Sequence, residues 1–112
     1  MLFQTNDFMN RIAFKMHLNP GQKNEYIKRH KALWPELQEL LKKSGIEEYS
    51  IFLDEDTNTL FAFQKCKKGE DSQNLKGEEI VQKWWKYMAD IMVVNVDNSP
   101  KSMALEEVFY MK

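Results

Sequence analysis

Two short runs, residues 46–54 (IEEYSIFLD) and 59–66 (TLFAFQKC), constrain this chain more than anything else in it. Both are rich in β-branched and aromatic residues, and only Glu55, Asp56, Thr57 and Asn58 separate them, a polar connection of hairpin length. They are expected to pair antiparallel. Each run also carries large apolar side chains at successive positions: Tyr49, Ile51 and Leu53 alternate with Phe52, and Leu60 and Ala62 with Phe61 and Phe63. Neighbouring strand residues point to opposite faces, so both faces of this hairpin need cover. A chain of 112 residues is one domain long, and its helices can cover one face. The other face is expected to be buried by a second copy of the chain.

The remaining elements fall on either side of the hairpin. From Arg11 to Leu18 the pattern alternates, with Ile12, Phe14, Met16 and Leu18 on one face and Lys15 and His17 on the other, which predicts a strand. Asn19 and Pro20 then predict a helix N-cap and first turn, opening a helix through Glu25, Tyr26, Arg29 and His30. Pro35 should interrupt that helix, push Trp34 into extended backbone and start a second helix on Leu37, Leu40 and Leu41, with Gly45 as its cap. After the hairpin, residues 78–92 return to a helical period, a turn-rich loop follows at 97–100, and residues 105–111 (LEEVFYM) predict a last strand. The order is strand, kinked helix, strand, strand, helix, strand. That is the α+β, ferredoxin-like split βαβ arrangement, with a four-stranded antiparallel sheet. Residues 1–8 show no sustained period and are read as an N-terminal extension to a single domain over 9–112.

Composition narrows the function. The 43% hydrophobic and 29% charged shares describe a folded soluble chain, and no apolar run approaches the roughly 18 residues that span a bilayer. The N-terminus lacks a basic segment leading into an apolar one, so a cytoplasmic location is expected. A net charge of -1 offers no field for nucleic acid. The lone Cys66 can make neither an internal disulfide nor, with His17 and His30, a four-ligand zinc site, and no metal-ligand spacing occurs elsewhere. There is no Gly-rich phosphate loop and no Ser/His/Asp series. What stands out is the 12% aromatic content, with three Trp. Such aromatics either fill a core or stack on a ligand, and the missing phosphate, metal and acyl-enzyme motifs suggest that the ligand is small and uncharged.

Tyr26 and His30, four apart, share one helix face, with Trp34 continuing the line, a spacing that suits an aromatic stripe packed on the sheet as well as a site. His30 sits in the last turn before the proline break, where unpaired carbonyls favour a protonated ring, so it is expected to be a general acid near neutral pH. On the helix at 78–92, Ile80, Val81, Trp84, Met88, Ile91 and Met92 fall in one arc, which suits Trp84 for the core. Trp85, at the arc's edge, is better placed to show a ring face to a ligand. Tyr49 and the 97–100 loop complete the polar and aromatic set, and either serves equally well as scaffold.

The runs NEYIKRHKALWPEL (24–37), EYSIFLD (48–54), LFAF (60–63), QKWWKYMADIM (82–92), NVDNSP (95–100) and LEEVFYM (105–111), taken in order, resemble the L-rhamnose mutarotase family over residues 9–112. The resemblance implies an isomerase that interconverts the α and β anomers of L-rhamnose, built as a homodimeric α/β barrel of ferredoxin-like subunits without metal or organic cofactor. It further implies His30 as proton donor and Tyr26, Tyr49, Trp84 and Trp85 as sugar contacts. For the base, Tyr26, another tyrosine, a bound water or His30 itself all remain open. Two other classes fit the same elements: a small dimeric α+β barrel monooxygenase or lactone isomerase, and an RNA-recognition module. The second lacks the basic surface that module needs.

Overall fold

The computed structural model describes residues 9–70 and 72–112. The N-terminal extension read at residues 1–8 lies outside the described residues. Strand β1 (Met9–His17) is followed by helices α1 (Lys23–Lys31) and α2 (Pro35–Lys43), strands β2 (Ile46–Asp54) and β3 (Thr59–Lys67), a single 3-10 turn at Ser72–Leu75, helix α3 (Glu79–Met88) and strand β4 (Met103–Leu105). The strands form one antiparallel sheet in the order β2-β3-β1-β4. This is the ferredoxin-like α+β arrangement that the element order predicts, with the helices on one face.

That helix-covered face carries Phe14, Met16, Leu60, Ala62 and Cys66, all buried. Phe14 and Met16 pack with Tyr26, Met88, Ile91 and Met92 in one apolar cluster; Cys66 packs with Leu37, Ile46 and Val81 in another, and Trp84 touches both. Burying such side chains stabilises the fold by about 1.5–3 kcal/mol each, so the alternation along β1 and β3 fixes which face is inside.

Strand β2 departs from simple alternation. Its pairing with β3 slips between Ile46, opposite Cys66, and Glu48, opposite Lys65, so Glu47 is an extra residue in the strand. With strict alternation from the inward Ile46, Tyr49 would point away from the helices. The bulge reverses this and brings Tyr49, Ile51 and Leu53 to the helix side opposite Gln64, Ala62 and Leu60.

Three boundaries differ from the sequence-based reading. Helix α1 starts at Lys23, because Pro20 and Gly21 form a turn in which Gly21 takes φ +80, and the Asn19 side chain donates through Nδ2 to the Asp90 carbonyl at 3.3 Å instead of capping the helix. Helix α3 stops at Met88, short of the expected 92. Beyond it Ile91 receives Asn19, Leu18 bridges Met92 and the Val93 amide donates to the His17 carbonyl, so the chain leaves the helix to pair beside β1. The last strand is three residues long, Met103–Leu105, against Ala13–Lys15 of β1. Residues 106–111, expected to belong to it, find no strand partner among the described residues. They cross Arg11, which pairs with Glu107 at 2.7 Å and lies 3.2 Å over the Tyr110 ring.

The break at Pro35 is as expected. Trp34 is extended (φ −61, ψ 126), Pro35 opens α2, and Gly45 (φ +100) closes it. The Gly45 carbonyl then accepts from the Lys67 amide at 2.9 Å, tying the end of α2 to β3.

Candidate active site

Between the helices and the sheet lies a cavity of about 640 Å³, within the usual range for small-ligand clefts, ~300–1,000 Å³. Tyr26 and His30 reach it from α1, Trp84 and Trp85 from α3, and Tyr49 from the bulged strand β2. All five residues that the sequence singles out therefore border one space. Met92, Asn98 and Pro100 border it from the loop after α3.

The one-face placement of Tyr26 and His30 is direct. Their rings stack with centroids 4.2 Å apart, and Tyr26 is 8% exposed. His30 Nδ1 lies 3.0 Å from the Tyr26 carbonyl oxygen. A carbonyl can only accept, so Nδ1 carries the hydrogen, and in the neutral ring Nε2 is left with its lone pair. The expected upward pull of the helix end on His30 is outweighed. Burial of the ring lowers its pKa below the ordinary 6.5, with the Tyr26 carbonyl opposing more weakly. The imidazole thus rests neutral at pH 7, contrary to the protonated ring expected from its position. Burial also pushes the Tyr26 phenol far up, and Tyr49 beside it adds to the shift. Tyr26 stays protonated, which removes it as an ionised base and leaves it as a hydrogen-bond donor.

Trp84 is more than a core residue. Its indole meets the His30 ring edge-on at 5.5 Å and the Trp34 ring edge-on at 5.1 Å, and Tyr87 stacks on Trp34 at 5.6 Å. Rings in these edge-to-face and offset arrangements hold one another in place, so the imidazole is fixed on one side by Tyr26 and on another by Trp84. Trp34 and Tyr87 buttress Trp84 from behind.

Arg29, next to His30, is a further element of the site that spacing reveals only in part. Glu25 four residues earlier is visible in the sequence, and Arg29 Nε binds it at 2.8 Å. The other contacts cross the fold: Nη1 donates to the Tyr87 carbonyl at 2.7 Å and to Asp90 Oδ1 at 2.8 Å. With its side chain only 11% exposed, Arg29 clamps α1 onto the end of α3 and so fixes His30 relative to Trp84. Among the described residues no group of His, Cys, Asp and Glu could hold a metal ion, and no helix is long and apolar enough to cross a membrane.

Sheet, bulge and half-buried imidazole together define a small ferredoxin-like protein with an aromatic-walled cavity under its helices. Comparison with known proteins narrows this class. The family model for L-rhamnose mutarotase matches residues 11–111. An L-rhamnose mutarotase of Formosa agariphila is 64% identical over 104 residues, 93% of this chain and 100% of that protein. One of Bacteroides thetaiotaomicron is 61% identical over 92% of this chain and 99% of that one. The crystal structure of the Formosa agariphila L-rhamnose mutarotase superposes with a TM-score of 0.84 at 63% identity, covering 92% of this chain and 99% of that one. The chain belongs to the L-rhamnose mutarotase family. A Nitrosomonas europaea protein described as an antibiotic biosynthesis monooxygenase shares the fold alone, with a TM-score of 0.58 at 13% identity over 97% of each chain.

Proposed function

We propose that this protein interconverts the α and β anomers of L-rhamnopyranose, an isomerase reaction in which His30 moves the proton. One observation supports this above the rest: a half-buried imidazole, tied through Nδ1 to its own helix, keeps a single nitrogen for a ligand in an aromatic-walled cavity. Ring opening breaks the bond between the anomeric carbon and the ring oxygen, moving one proton from the anomeric hydroxyl to that oxygen. Both oxygens sit on the same carbon, so one nitrogen can serve both. Neutral His30 accepts the proton at Nε2, and the imidazolium so formed is the donor to the ring oxygen. The aldehyde then rotates and recloses on its other face by the reverse transfers. A positioned acid–base group of this kind contributes about 10²- to 10⁴-fold in rate.

The walls would select the sugar. Trp84 and Trp85 offer flat apolar surface to the C–H faces and methyl group of a 6-deoxyhexose, while the Tyr26 and Tyr49 hydroxyls bond its own. Exchange NMR on L-rhamnose tests the reading: faster anomer exchange with catalytic protein is expected. Unchanged exchange, with turnover of an aromatic or lactone substrate, would support the rival enzyme class instead.

The working form we propose is a cytoplasmic homodimer in which residues 9–112 act as one domain. The sheet face away from the helices presents Phe52, 69% exposed, with Phe61, Met103 and Leu105, and the apolar Val108, Phe109 and Met111 of the C-terminal segment lie bare beside it. A second copy, laid against this face, would bury all of them.

A further inference from the structure

The loop that follows α3 holds a polar group that the proton-transfer chemistry does not use. Asn98 borders the same cavity as His30, Tyr26 and Tyr49, and its backbone is left-handed, φ +70. Its neighbours are committed to building the loop. Asp97 accepts from the Ser99 amide and hydroxyl, Asn95 Nδ2 donates to Ser99 Oγ at 3.0 Å, and the Asn95 amide donates to the Ser99 carbonyl at 2.8 Å. The Asn98 backbone amide donates to the Asn95 carbonyl at 2.9 Å, and Val94 bridges Pro100, so the turn is closed on both sides of Asn98. Among the described residues nothing engages the Asn98 side-chain amide. A rigid turn thus holds an unused carboxamide at the cavity wall, and Asn is one of few side chains that tolerates such a backbone.

We infer that Asn98 is a specificity residue that binds two adjacent ring hydroxyls of the sugar, its Nδ2 donating to one and its Oδ1 accepting from the next. This rests on the cavity being the sugar site. A carboxamide is the one neutral side chain that offers a donor and an acceptor side by side, the spacing a vicinal diol requires. The Tyr26 and Tyr49 phenols each offer one polar atom, and His30 is committed to the two oxygens of the reacting carbon. Asn98 therefore reads the arrangement of hydroxyls away from the reacting carbon, and its contribution is to binding.

The test uses Asn98→Gly and Asn98→Asp, because glycine takes a left-handed backbone freely and aspartate tolerates it, so both keep the turn. Anomer exchange is measured against concentration for L-rhamnose and for analogues lacking one ring hydroxyl at C2, C3 or C4. For Asn98→Gly, KM for L-rhamnose should rise roughly tenfold with kcat within about twofold, the loss expected of one or two hydrogen bonds. An analogue lacking a hydroxyl bound by Asn98 should bind more weakly than L-rhamnose to the wild type but equally well to the glycine variant. Asn98→Asp should not restore the wild-type KM, since a carboxylate cannot donate. Wild-type KM in the glycine variant, full rescue by aspartate, or unchanged discrimination among the analogues would overturn the assignment while leaving the mutarotase reading intact. Absence of wild-type exchange would overturn both.

Discussion

His30 has one nitrogen left for a ligand, and its protonation state follows from the burial of its ring. Because burial lowers its pKa, the neutral ring predominates above that pKa and the charged ring below it. If neutral His30 begins the cycle, kcat/KM should be level from pH 7 to about 8.5 and should fall as pH drops through a pKa lower than the ordinary 6.5. A rate that instead falls as pH rises through that pKa would make the precharged ring the reactive form. The neighbouring phenol is proposed to bind the sugar. Tyr26→Phe keeps the stacked ring but removes its hydroxyl, so kcat/KM should fall about tenfold with the melting temperature nearly unchanged. Both residues were legible from their four-residue spacing. The preferred charge of His30 was not, because a helix-end argument sees local carbonyls but not the Trp84 and Tyr26 rings that the fold packs around it.

The elements show the same division between local and long-range information. Pro35 and Gly45 announce the break between α1 and α2 and the end of α2, since each acts on its own backbone. A substitution tests the second directly: a Cβ at residue 45 would meet Lys67 Cβ at 3.3 Å on a backbone with φ +100. Gly45→Ala should therefore destabilise the protein by about 1 kcal/mol or more, read from chemical denaturation, and an unchanged midpoint would contradict this account of the α2–β2 junction. The start of α1 and the end of α3 depart from the local pattern because Asn19 is tied to Ile91 and Leu18 to Met92, across more than seventy residues. The Glu47 bulge was equally hidden. It matters more than the boundaries, because it carries Tyr49 to the cavity side of the sheet.

For the molecule as a whole, the apolar residues on both faces of the β2–β3 hairpin were the clearest message in the sequence, and one of those faces is bare in the single chain. The expectation is a dimer at micromolar concentration by sedimentation, converted to monomer by Phe52→Glu with the fold retained by circular dichroism. Wild-type monomer at that concentration would remove the second copy from the account. The run LEEVFYM reads as a strand for the same reason: its pattern asks for a partner, which β1 supplies only as far as Leu105. On the proposed function, this architecture serves to hold an imidazole against the sugar. The most direct test is two-dimensional exchange NMR of L-rhamnose with wild type and His30→Ala, circular dichroism confirming that both are folded. Anomer exchange accelerated by the wild type and reduced at least about 100-fold in the variant is the predicted result. Equal acceleration by a folded His30→Ala protein would contradict it.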